Sequence, residues 1–78
     1  MTFGEKLKEA RKGAGYSQEE LANKLGVSRS AITKWETDKG MPDISNIKAI
    51  SQLLNISIDY LLDDGSKLEF TTTIIPID

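Results

Sequence analysis

Apolar residues recur at Phe3, Leu7, Ala10 and Ala14, at spacings of four, three and four. That rhythm predicts one helical stripe from Thr2 to about Ala14, with Lys6, Lys8, Glu9 and Lys12 largely off it. Thr2 and Glu5 stand in T-x-x-E spacing, so this helix can cap its own start, and Gly13 and Gly15 mark its end. Ser17-Gln18-Glu19-Glu20 opens a second helix with the same box, carrying Leu21, Ala22 and Leu25 on its inner side. Gly26 stops it where a left-handed backbone costs least. Ser28 then caps a third helix to about Thr37. Ile32 and Trp35 are its inward positions, and Arg29, Ser30, Thr33, Lys34 and Thr37 fall on the other side.

Pro42 biases Met41 away from helix, so residues 38–42 read as a loop. Asp43 caps a fourth helix whose stripe is Ile44, Ile47, Ile50, Leu53 and Leu54, with Asn55 as its left-handed stop. Ser57 caps a short fifth helix, Ile58 to Leu62, halted by Asp63-Asp64-Gly65. After it, Leu68, Phe70, Thr72 and Ile74 alternate with Lys67, Glu69, Thr71 and Thr73, the period of a strand. A single strand cannot satisfy its own backbone groups. The expected architecture is therefore all-α: five helices over residues 1–64, then a strand-like tail over 65–78 serving as linker or dimerisation segment.

Composition narrows the chemistry. The 78 residues suit one small domain, and the sequence contains no cysteine and no histidine. Disulfides, thiolate sites, the usual metal ligand and the commonest general base are thereby excluded, so no metal, no cofactor and no enzymatic role is expected. No apolar run exceeds two residues, as at Leu61-Leu62 and Ile74-Ile75, so a membrane span and a signal-peptide core are not expected and the location reads as cytoplasmic. Charge is split. Residues 1–40 carry eight basic groups against six acidic, and residues 41–78 carry two against six. Any polyanion must meet a local face in the first half, with the acidic half turned away.

That face has a specific frame. Residues 18–37 read as two short helices joined through Gly26, with Ala22 small enough to let them cross closely and Leu21, Leu25, Val27, Ile32 and Trp35 as the shared interior. This is the helix-turn-helix plan, in which the second helix protrudes and fits the major groove of B-DNA. The run from Tyr16 to Glu36, with Met41-Pro42-Asp43-Ile44 and the stretch from Leu54 to Leu62, resembles the Cro and phage-repressor family of bacterial regulators, also called the xenobiotic-response-element type. The resemblance covers about residues 3–64.

The resemblance implies a DNA-binding regulator of transcription, acting as a repressor through a homodimer on a double-stranded operator. A downstream sensor domain or a partner protein would be a further associate. It also implies roles. Arg29, Ser30, Thr33 and Lys34 stand where the family reads base edges. Gln18 stands where a glutamine and a helix start meet a phosphate, and Thr37 and Lys39 match the phosphate contacts after the third helix. Ser28 joins them in holding register without reading sequence. Arg11 and Glu36 stand where the family pairs its first helix with the end of its third, a partly buried ion pair. Where the family often has Asn-Gly, this chain has Thr37-Asp38. Asp38 adds negative charge near the expected backbone path and has to adopt the left-handed turn without glycine's freedom. The alternative reading is a protein-interaction module of the same fold, such as an antitoxin or developmental regulator. The acidic second half and the tail motivate it, and an enzyme ranks far behind both.

Overall fold

A computed structural model describes residues 1–63. Five helices follow in order: α1 Phe3–Gly13, α2 Gln18–Leu25, α3 Arg29–Glu36, α4 Ile44–Leu54 and α5 Ile58–Leu62. Among the described residues there is no strand. The expected strand-like tail at 65–78 lies outside the described residues.

Local chemistry sets every helix start. The side chains of Thr2, Ser17, Ser28, Asp43 and Ser57 each accept the backbone N–H three residues on, and Thr2–Glu5 and Ser17–Glu20 form complete reciprocal boxes. Gly26 and Asn55 end α2 and α4 with left-handed backbones, φ 72° and 58°. α3 starts after its expected cap, Ser28, and ends one residue short of the expected limit, because Thr37 acts as its C-cap.

The core unites Leu7, Leu21, Ala22, Ile32, Trp35, Ile47, Ile50, Leu54 and Leu61. α3 packs on both α1 and α2, α4 on α2 and α5, and α5 returns to α1. Gly4 lies at the crossing of α1 and the end of α3, where a methyl group would stand 2.5 Å from the Glu36 carbonyl oxygen. Only a residue without a side chain allows the two backbones to approach this closely.

Three expectations fail here. Ala14 and Ile44, both assigned to buried stripes, are exposed; Ala14 is the C-cap of α1 and Ile44 the first residue of α4. Lys6, placed off the stripe, is buried at 7% exposure. Its ammonium donates to the Tyr60 carbonyl at 2.9 Å and to the Asp63 carbonyl, and lies 5.0 Å from the Tyr60 ring centre. A cation thus satisfies the carbonyls at the negative end of α5 while its aliphatic stem packs inside.

Candidate nucleic-acid interface

α3 has two unlike faces. Ile32 and Trp35 turn inward, at 0% and 8% exposure. Arg29, Ser30, Thr33 and Lys34 are all exposed and together line one shallow open concavity. The four side chains expected to read bases are therefore neighbours on one surface, with the main chain of α3 behind them.

Gln18 borders this surface and is held from within. Its amide nitrogen donates to Glu36 Oε1 at 3.0 Å, while its carbonyl oxygen accepts from Arg29 Nε and from Thr33 Oγ1, each at 3.4 Å. A carboxylate can only accept, so Glu36 fixes which way the amide faces. Glu36 is in turn gripped by Arg11, through Nε to Oε2 at 2.6 Å and Nη2 to Oε1 at 3.3 Å, and Arg11 Nη1 donates to the Tyr16 carbonyl at 2.8 Å. The two side chains are 8% and 2% exposed, so the ion pair is fully buried rather than partly so. A continuous line of polar contacts runs from α1 through the end of α3 to the start of α2 and the outer face of α3.

The other expected backbone contacts surround the same face with unequal chemistry. The Ser28 hydroxyl oxygen accepts the Ala31 N–H at 3.1 Å, which leaves its hydrogen to donate outward. Gln18 begins α2, where first-turn N–H groups have no intrahelical acceptor. The Thr37 hydroxyl donates back to the Thr33 carbonyl at 2.8 Å, so its only hydrogen is already engaged. Lys39 is exposed in the loop after α3. The Asp38 carboxylate faces the start of α1, bonded to the Thr2 hydroxyl at 2.6 Å and the Gly4 N–H at 2.9 Å. These two bonds, in that order, hold its pKa below the usual carboxylate range.

Counting charges along the sequence overstated the cations free at the surface. Of the eight in residues 1–40, Lys6 and Arg11 are consumed inside, while Lys8, Lys12, Lys24, Arg29, Lys34 and Lys39 are exposed. The signal for Lys6 was available: it lies three residues after Phe3 and four before Ala10, within the buried stripe. Nothing local announces the Asp38 bonds, whose partners are 34 and 36 residues away. Among the described residues no group of histidine, cysteine, aspartate or glutamate is placed to hold a metal ion. No described helix is long and apolar enough to cross a membrane.

The helix-turn-helix family model matches residues 7–61. The chain belongs to that family. It is 48% identical over 73 residues to the HTH-type transcriptional activator BcrR of Enterococcus faecalis, covering 94% of this chain and 36% of that protein. It is 44% identical over 69 residues to the HTH-type transcriptional regulator ImmR of Bacillus subtilis, covering 86% and 54% respectively. This helix-turn-helix chain therefore spans between about a third and just over half of those two relatives. Its fold matches the P22 c2 repressor crystallised with a synthetic operator at a TM-score of 0.77 and 36% identity, over 81% of this chain and 96% of the other. It matches SinR crystallised with DNA at a TM-score of 0.73 and 36% identity, over 80% and 100%.

Proposed function

We propose that this chain carries, in residues 1–64, the sequence-specific DNA-binding unit of a cytoplasmic transcriptional regulator. Two copies place the outer face of α3 in successive major-groove segments about 34 Å apart. One observation carries the reading: Arg29, Ser30, Thr33 and Lys34 share an exposed surface on a helix whose opposite side is the core. Arg29 donates two hydrogen bonds to guanine O6 and N7. Lys34 offers a less rigid donor beside it, Ser30 adapts to either partner, and the Thr33 methyl meets a thymine methyl.

Gln18, Ser28, Thr37 and Lys39 hold register on phosphates. Thr37 is the weakest of these, because its hydroxyl hydrogen goes to Thr33. The role is binding rather than catalysis. Repression is the sign we assign, since occupancy of DNA alone suffices for it. The DNA-bound P22 c2 repressor and SinR, both similar in fold, support the reading. A protein partner in addition to DNA is the second reading. It is favoured by the match to SinR in its complex with SinI, at a TM-score of 0.75 over 94% of this chain.

The test is selection of preferred duplexes from a random pool, repeated with Arg29→Ala. The variant should lose about 1–3 kcal/mol of discrimination at a single base pair and keep it elsewhere. Unchanged discrimination across the pool, or no preference of the parent for any duplex over heparin, would overturn the assignment.

A further inference from the structure

Asp38 occupies a position that ordinarily selects glycine. Its backbone is left-handed, φ 61°, one residue past the C-cap of α3. The Asp38 N–H reaches the Trp35 carbonyl at 3.3 Å and the Lys39 N–H reaches the Lys34 carbonyl at 2.9 Å, the paired bonds of a Schellman ending. A glycine would adopt this conformation without strain. It would make neither the bond to the Thr2 hydroxyl nor the bond to the Gly4 N–H.

We propose that Asp38 is a positioning residue for DNA binding: by clasping the start of α1 it holds the segment from Thr37 to Lys39 at the angle from which Lys39 meets a phosphate. This rests on the reading of Lys39 as a phosphate contact given above. The clasp has a firm anchor, because Gly4 also packs its main chain against the end of α3, with 2.5 Å left for any added methyl. The segment is thus tied to α1 on one side and to the last turn of α3 on the other. The positive end of the α1 dipole and the two donors offset the carboxylate's charge, so it faces the protein rather than the polyanion.

The sign of the effect separates this role from simple electrostatics. An acidic group that merely lies near DNA weakens binding, and its removal strengthens binding. A clasp does the reverse. The experiment measures equilibrium binding of the whole chain to a selected duplex between about 50 and 200 mM salt. It compares the parent, Asp38→Gly, Asp38→Asn, Lys39→Ala and the Asp38→Gly/Lys39→Ala double variant, each checked as folded by circular dichroism.

Asp38→Gly should bind several-fold more weakly despite its missing negative charge. Its salt slope should fall by about 0.9 for each protomer, the signature of one phosphate no longer neutralised. A drop in stability alone would leave that slope unmoved. Asp38→Asn tolerates the left-handed backbone and keeps one acceptor, so it should fall between parent and glycine variant. In the Lys39→Ala background, Asp38→Gly should have no further effect. Equal or tighter binding by Asp38→Gly with an unchanged slope overturns the proposal, as does full additivity with Lys39→Ala. Failure of the underlying reading shows separately, as a Lys39→Ala slope equal to the parent's.

Discussion

Replacing Gly4 with alanine should destabilise the protein, although alanine is the better helix former. A Cβ there would lie 2.5 Å from the Glu36 carbonyl oxygen and 2.7 Å from both the Glu36 carbonyl carbon and the Trp35 carbonyl oxygen. Ordinary van der Waals separation begins at 3.4 Å, so α1 and the end of α3 must part by roughly 0.9 Å, enough to forfeit about a quarter to a half of the dispersion attraction across the crossing. All three atoms are main chain and cannot rotate aside, which points to the upper end of the about 1–3 kcal/mol that overpacking costs. The 2.9 Å bond from Gly4 N–H to Asp38 is strained as well, for about 1 kcal/mol more. Alanine's helix propensity returns about 1 kcal/mol. The net is a loss of about 3 kcal/mol, or at least about 12 °C in Tm for a domain of this size. Gly13 supplies the control within the same helix: its backbone φ is not positive and no atom lies within 4 Å of an added Cβ, so Gly13→Ala should gain about 0.5 kcal/mol. Urea unfolding followed by Trp35 fluorescence measures both. If Gly4→Ala proves as stable as Gly13→Ala, the close crossing of α1 and α3 is refuted.

Two further outcomes follow from the buried and capping charges. Glu36→Leu strands the Arg11 guanidinium with only the Tyr16 carbonyl and should cost about 3–5 kcal/mol, whereas Arg11→Met combined with Glu36→Leu should recover most of that loss; a double variant as unstable as the summed singles contradicts this. Asp38 is held below the usual carboxylate range by Thr2 and Gly4, and Asp43 by the Asn46 N–H and then the Ser45 hydroxyl. Their stabilisation is complete above the unfolded value of about 4 and is lost as pH falls through the folded values beneath it, so Asp38→Asn should flatten the acid limb of the stability profile and leave the neutral region's shape unchanged.

Helix starts were legible in the sequence because each is written within three residues: a hydroxyl or carboxylate at the cap accepts from the amide N–H three positions on. The inward side of α3 was legible because Ile32 and Trp35 are three apart and no other residue of that helix is large and apolar. The exposed set Arg29, Ser30, Thr33 and Lys34 followed by subtraction. Features that depend on two helices meeting were not legible. Gly4 gives no sign of a crossing until α3 is placed against it. The burial of Lys6 could be read from its place in the α1 stripe, but not the α5 carbonyls that receive its ammonium. Asp38 reads as a charge facing outward until the start of α1 turns it inward. The pairing of Arg11 with Glu36 was anticipated by family resemblance and not by spacing, and the resemblance did not show that Glu36 also orients Gln18.

Among the described residues, the longest-range polar ties set out above end on α1 or its cap: Thr2 and Gly4 to Asp38, Arg11 to Glu36, and Lys6 to the carbonyls of Tyr60 and Asp63. During synthesis this helix emerges ahead of the other four and waits for partners on α3 and α5. Arg11 waits 25 residues for Glu36, and Lys6 waits 57 for the Asp63 carbonyl. The ties of α1 to α3 can therefore close once Asp38 has been made, whereas its last tie, from Lys6, stays open until nearly all of the described chain exists.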